Sequence, residues 1–248
     1  MADSSEVMAK IRRAPGIKYS ALTPNVQGLE AALEAQVSEV AVFAAASEAF
    51  SVANINCSVA ESLDRFRPLV ERAKSERLPV RAYVSCVLGC PYNGPVPPQD
   101  VVKVTQSLFE MGCYSVSLGD TTGAGTAGST AALLGAMRAA GVSMKDLAVH
   151  FHDTYGQALA NILIALDEGI TVIDTSVSGL GGCPYAPGAS GNVATEDVLY
   201  MLQGLGVDTG VNFDALLKAS MYISEELDRL PQSRVARAIM SAKGRGKT

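Results

Sequence analysis

Short β-branched runs alternate with longer amphipathic stretches along most of this chain, and that alternation constrains the fold most. The predicted strands are IKYSALT (17–23), EVAVFAA (39–45), VRAYVSCV (80–87), YSVSLGD (114–120), AVHFHDT (148–154) and TVIDTSV (171–177). Between them lie the helical patterns LEAALEAQ, ESLDRFRPLVERAKSER, QDVVKVTQSLFEMG, STAALLGAMRAAG and QALANILIALDEG. A strand, a helix and a further strand pair in parallel through a right-handed crossover. Two architectures satisfy this pattern, an open doubly wound sheet and a (β/α)8 barrel. The strands end in polar, chemically capable residues: Thr23 and Asn25, Ser85 and Cys86, Asp120, His152 and Asp153. In a barrel such ends ring one face, where active sites form; in an open sheet, function gathers at one crevice. Polar ends on nearly every strand favour the barrel. Six βα units are visible and a closed barrel needs eight, while the stretch from about Gly204 onward reads as helical. The expectation is one α/β domain over residues 1–248: a TIM (β/α)8-type barrel, incomplete, with six parallel βα units and C-terminal helices.

Composition excludes several classes. The chain is 48% hydrophobic and 18% charged, with a formal net charge of -5. That supports a sizeable core and argues against a nucleic-acid partner. No apolar run approaches the ~20 residues of a membrane helix, so a soluble chain is expected. The N-terminal MADSSEVMAKIRR mixes both charge signs and resembles neither a secretory signal nor a transit peptide. The cysteines, Cys57, Cys86, Cys90, Cys113 and Cys183, show no metal-finger spacing and fit reduced thiols. The C-terminal GKT lacks the upstream glycine of a phosphate loop, because Ser241 stands there.

The two histidines of the chain sit on either side of Phe151. On a strand, residues i and i+2 face the same side. His150 and His152 therefore project together, while Phe151 points into the helical layer. Two imidazoles at a strand's C-terminal end can share a cation, which needs oxygen partners if it is Mg²⁺, Mn²⁺ or Zn²⁺. The competing reading is two unrelated polar residues, one of them capping the next helix. Asp153 can already supply that cap, which leaves the histidines without a structural task.

After the sixth strand runs GLGGCPYAPGASGNVATED (179–197). Glycines and small residues make a loop that can close over a ligand. Cys183 is its reactive side chain, suited to donating a proton or acting as a nucleophile. Asn192 offers an amide oxygen. Thr195 can start a helix whose first turn carries Glu196 and Asp197. A mobile surface loop holding a buried cysteine is the bland alternative. Elsewhere, GAGTAG (123–128) matches the GxGxxG pattern of dinucleotide sites. It belongs to the fourth visible unit rather than the first, which argues against that role.

Taken together, VHFHDTYGQALAN, DTSVSGLGGCPYAPGASGNVATED, YVSCVLGCPY and NINCS resemble the 3-hydroxy-3-methylglutaryl-CoA (HMG-CoA) lyase family, in order, over residues 6–230. GLGGCPYAPGASGN is the segment specific to that lyase; HxH alone marks a wider metallolyase superfamily. The resemblance implies a (β/α)8 barrel and divalent-metal-dependent cleavage of HMG-CoA to acetyl-CoA and acetoacetate, as in leucine catabolism and ketone-body formation. It implies Mg²⁺ or Mn²⁺ held by His150, His152 and Asn192. It further implies that Cys183 shuttles a proton at the nascent acetyl-CoA carbanion, with His150 also taking part in proton transfer. Asp120 resembles the active-site aspartate ending the family's sixth strand, and Glu196 the acid after the loop.

The family opens with a strand bearing Arg-Asp and a second strand carrying Glu. The six strands predicted here align with the third to eighth, so the resemblance predicts weak or no turnover by this polypeptide as written. Two alternatives follow: a condensing relative that joins acyl-CoA to a 2-oxo acid, and a non-catalytic partial barrel that pairs with a complete subunit. The implied partner is HMG-CoA, with a homodimer as the assembly to test and no nucleic acid or membrane. The family is commonly mitochondrial; with no targeting segment read here, the cytoplasm is the other compartment expected.

Overall fold

The structure, a computed structural model, describes residues 3–181 and 191–245. Six strands form one parallel sheet: β1 (Ser20–Leu22), β2 (Glu39–Ala45), β3 (Val80–Ser85), β4 (Ser115–Asp120), β5 (Leu147–Phe151) and β6 (Val172–Ile173). Their order in the sheet is their order in the chain. A doubly wound sheet would reverse direction at a switch point; this one does not, so it is a half-barrel of the (β/α) type. The sheet is open at both edges among the described residues, where β1 and β6 pair only with β2 and β5.

The helices are α1 (Ser4–Lys10), α2 (Val26–Glu34), α3 (Glu48–Ile55), α4 (Val59–Ser75), α5 (Pro98–Met111), α6 (Ala127–Ala139), α7 (Ala158–Asp167), α8 (Thr195–Gly204), α9 (Phe213–Glu226) and α10 (Arg234–Arg245). Local chemistry fixes their starts. The side chains of Asn25, Ser47 and Thr126 accept the amides of Gly28, Phe50 and Ser129, and Ser58 with Glu61 forms a capping box. Asp153 Oδ1 accepts the Ala158 amide at 3.0 Å, the cap expected before α7.

The core lies between the sheet's outer face and the helices. Val80, Ala82 and Val84 alternate along β3 into the same cluster as Leu69, Val101 and Leu108. On β5, Leu147, Val149 and Phe151 join Leu134, Ala158 and Ile162. Phe151 is 1% exposed, in the helical layer as expected. Deviations from the sequence reading sit at the edges. The first and last strands shorten to three and two residues, because an edge strand has a partner on one side alone. α3 was not anticipated: EAFSVANI carries no apolar stripe, and Phe50 and Ser51 are its buried residues.

The glycines of GAGTAG have a local structural use. Asp120 ends β4 fully buried, and its carboxylate accepts the amides of Gly123 at 3.0 Å and Gly125 at 2.9 Å. Gly123 has φ +67, and a Cβ on Gly125 would stand 2.3 Å from Leu88 Cδ1 and 2.8 Å from Asp120 Oδ2. Gly125→Ala is expected to lower stability by about 1–3 kcal/mol through overpacking. Gly135, in mid-α6 with nothing within 4 Å, is expected to gain roughly 0.5–1 kcal/mol as Ala from helix propensity. Urea unfolding midpoints check both; an unchanged or raised midpoint for Gly125→Ala, or a lowered one for Gly135→Ala, would contradict this packing.

Candidate active site

The parallel register builds the site. Gly119 of β4 pairs with His150 of β5, and Val149 with Ile173 of β6. Side chains that alternate away from the helical core face the concave side: Arg81 and Tyr83 on β3, Ser117 on β4, and His150 and His152 at the end of β5. A Cβ on Gly119 would meet Val84 O at 3.1 Å, so the glycine permits the close approach of β3 and β4 beside the pair. The concave side holds a cleft of about 650 Å³ whose lining includes Leu22, Phe43, Tyr83, Thr121, His150 and His152.

The two rings converge as expected. Their Nε2 atoms lie 3.3 Å apart, and both Nδ1 atoms are buried with no partner at hydrogen-bonding distance. Burial, opposed by Asp174 and reinforced by Arg81, pushes the His150 pKa down. Burial, and then His150, pushes His152 down to about 4. Both rings are therefore neutral near pH 7, the state in which imidazole offers a lone pair to a metal.

Asn192 also reaches this place. An antiparallel bridge joins His152 to Asn192, and the Asp153 amide donates to Gly191 O at 2.6 Å. Asn192 Nδ2 donates to Leu180 O at 2.8 Å, so Oδ1 is the side chain's acceptor. Cys183 lies outside the described residues. Asp120 and Glu196, expected as site acids, are fully buried and do not line the cleft. Burial raises the Asp120 pKa against the opposing pull of its loop amides. Both Glu196 oxygens accept the Ser178 amide, at 2.9 and 3.1 Å. Ser178 adopts a left-handed φ of 60, and Glu196 holds that turn at the base of the loop.

Sequence reasoning missed a polar layer directly below His150. Asp174 Oδ2 accepts from Arg81 Nη2 at 2.8 Å and from Ser117 Oγ at 2.6 Å. The same oxygen stands 3.9 Å from His150 Nδ1. The Arg81 guanidinium lies 4.9 Å from the Tyr83 ring centroid, and Tyr83 meets His150 edge-on at 6.1 Å. The available signal was alternation: VRAYVS and SVSLGD place polar residues at every second position of strands whose other face is core.

The donor set fits a divalent cation. Two ligands about 2.0–2.1 Å from one ion, set at a right angle, are about 3 Å apart, close to the observed Nε2 separation of 3.3 Å. No third His, Cys, Asp or Glu joins the pair among the described residues, and Asn192, bridged to His152 through the main chain, is a neighbouring side chain with an amide oxygen.

Known proteins match this arrangement. The chain is 58% identical over 241 residues to a Pseudomonas aeruginosa protein named 3-hydroxy-3-isohexenylglutaryl-CoA/hydroxy-methylglutaryl-CoA lyase, covering 97% of this chain and 80% of that one. It is 54% identical over 238 residues to human hydroxymethylglutaryl-CoA lyase, mitochondrial, covering 96% of this chain and 73% of the human protein. Relatives include cytoplasmic forms as well. The crystal structure of the hydroxymethylglutaryl-CoA lyase from Pseudomonas aeruginosa superposes with a TM-score of 0.95, covering 98% of this chain and 80% of that one. A family model described as HMGL-like matches residues 1–223. With likeness running through nearly the whole chain, in sequence and in fold, this carbon–carbon lyase belongs to the HMGL-like family.

Proposed function

We propose that the chain is a hydroxymethylglutaryl-CoA lyase that cleaves HMG-CoA to acetyl-CoA and acetoacetate. The observation that carries this reading is the convergence of two neutral imidazole nitrogens, 3.3 Å apart, at the mouth of the concave cleft. His150, His152 and Asn192 would hold Mg²⁺ or Mn²⁺. When bound, such a cation supplies Lewis acidity toward the substrate's tertiary hydroxyl and neighbouring carboxylate.

The reaction removes the hydroxyl proton as the adjacent C–C bond breaks. The bond's electron pair moves onto the thioester as an enolate, and the former carbinol carbon becomes a ketone. In this reading His150 acts by holding the cation, its Nε2 lone pair committed and its Nδ1 protonated, and the acidified hydroxyl proton passes to solvent in the open cleft. Cys183 donates its thiol proton to the enolate carbon, giving acetyl-CoA. Asp120 and Glu196 act one step back: their carboxylates hold the loops after β4 and before α8. The Leu180 carbonyl ties down the Asn192 amino group in turn.

With HMG-CoA and Mg²⁺ or Mn²⁺, the chain is expected to release acetyl-CoA and acetoacetate in equal amounts and slowly, in keeping with the weak turnover expected of six βα units. His152→Ala is expected to abolish the metal-stimulated part of the rate, and Cys183→Ser to lower kcat by about 10²–10⁴-fold, the range for a lost proton donor. Product analysis by mass spectrometry checks this. Condensation of acetyl-CoA with a 2-oxo acid, and no cleavage of HMG-CoA, would contradict the proposal.

A second expectation concerns protons. His152 has a folded pKa of about 4 against an ordinary value of 6.5. Between these values the unfolded chain binds more protons than the folded one. The stability linked to this group is complete above pH 6.5 and is lost as pH falls toward 4. In metal-free protein, the stability of His152→Asn relative to wild type is expected to rise over that window. Identical pH dependence of the two urea midpoints would contradict it.

A further inference from the structure

Asp174 directly follows β6, and its amide donates to Val149 O at 2.8 Å, which sets it beside His150 on the concave face. Its Oδ2 is fixed from two sides, by Arg81 Nη2 and by Ser117 Oγ. The side chains of Arg81 and Asp174 are 11% and 17% exposed, so water weakens this pair less than a surface one. His150 Nδ1 is a buried nitrogen with no hydrogen-bond partner, and it faces that same Oδ2 across 3.9 Å. The gap is too long for a hydrogen bond. A negative oxygen there still favours a proton on the nitrogen that faces it.

The alternative tautomer has a specific cost. The 3.3 Å contact between the two Nε2 atoms carries a proton from one ring or the other. If His150 supplied it, the unprotonated Nδ1 would turn its lone pair on Asp174 Oδ2 across 3.9 Å, whereas with His152 as donor His150 keeps its proton on Nδ1 and accepts at Nε2. The nitrogen that carries the proton is set by what the other nitrogen faces, and carboxylates behind metal-binding imidazoles commonly play this part.

We infer that Asp174, locked by Arg81 and Ser117, is a positioning residue that keeps the proton of His150 on Nδ1 and so presents the Nε2 lone pair to a cation. This rests on the metal-site reading of the histidine pair. It also gives the Arg81–Asp174–Ser117 cluster a role beyond joining β3, β4 and β6. A purely structural ion pair would hold the sheet together without selecting a tautomer.

Because the chain has two histidines, ¹⁵N-histidine labelling of the full metal-free chain gives four ring-nitrogen signals. Wild type is expected to show a protonated Nδ1 and an unprotonated Nε2 for His150. In Asp174→Asn, which preserves size, and in Asp174→Ala, the His150 signals should move toward a tautomer mixture. Mn²⁺ affinity, titrated by the EPR signal of free Mn²⁺, should fall about 10–100-fold. Ser117→Ala, which leaves the Arg81 contact in place, should show a smaller change in the same direction. A wild-type His150 protonated on Nε2 would overturn the inference. So would an Asp174→Asn chain with an unchanged tautomer and unchanged Mn²⁺ affinity, while wild type binds the metal. A wild type that takes up no Mn²⁺ would instead overturn the metal site itself.

Discussion

Strict alternation of side chains along a parallel strand is the constraint from which the rest of this structure follows. At the end of β5 it sends Phe151 into the helical core and turns His150 and His152 onto the concave face together. A slip of one residue would exchange the two faces, burying both imidazoles among Leu134 and Ile162 and exposing the phenylalanine. Core packing on one side of the sheet therefore fixes the position of the chemistry on the other. The same alternation places Arg81, Tyr83 and Ser117 on the concave face, so the polar layer and the histidine pair share one origin.

Carboxylates, fully buried at Asp120 and Glu196, then set the loops around that pair. Asp120 gathers two glycine amides after β4, Asp153 closes onto α7, and Glu196 holds the left-handed Ser178 turn. Asp197 accepts from Ser233 Oγ and from the amides of Arg234 and Val235, docking α10 on α8. None of these side chains enters the cleft. They convert acidic residues near the strand ends into fixed loop geometry, which is what a site needs when its ligands come from separate segments.

Much of this was readable from residue order. The central strands were legible because runs such as EVAVFAA are buried on both faces and bounded by breakers. The histidine pair was legible because period-2 geometry needs nothing beyond the strand itself. α3 escaped because EAFSVANI has no apolar periodicity to reveal it. The Arg81–Asp174 contact escaped for another reason: the two residues are 93 positions apart, and their meeting depends on the register of four strands. Asp120 and Glu196 were readable as acids near a site. That their oxygens are consumed by main-chain amides appears once the loops are folded.

The central claim is that two imidazole nitrogens from one strand end share a divalent cation. Pulsed EPR of the Mn²⁺-loaded chain carrying ¹⁵N-histidine tests it most directly, because it counts the nitrogens bound to the metal. The account predicts couplings from two histidine nitrogens, falling to one in either single histidine variant. A Mn²⁺ signal with no histidine coupling would contradict it.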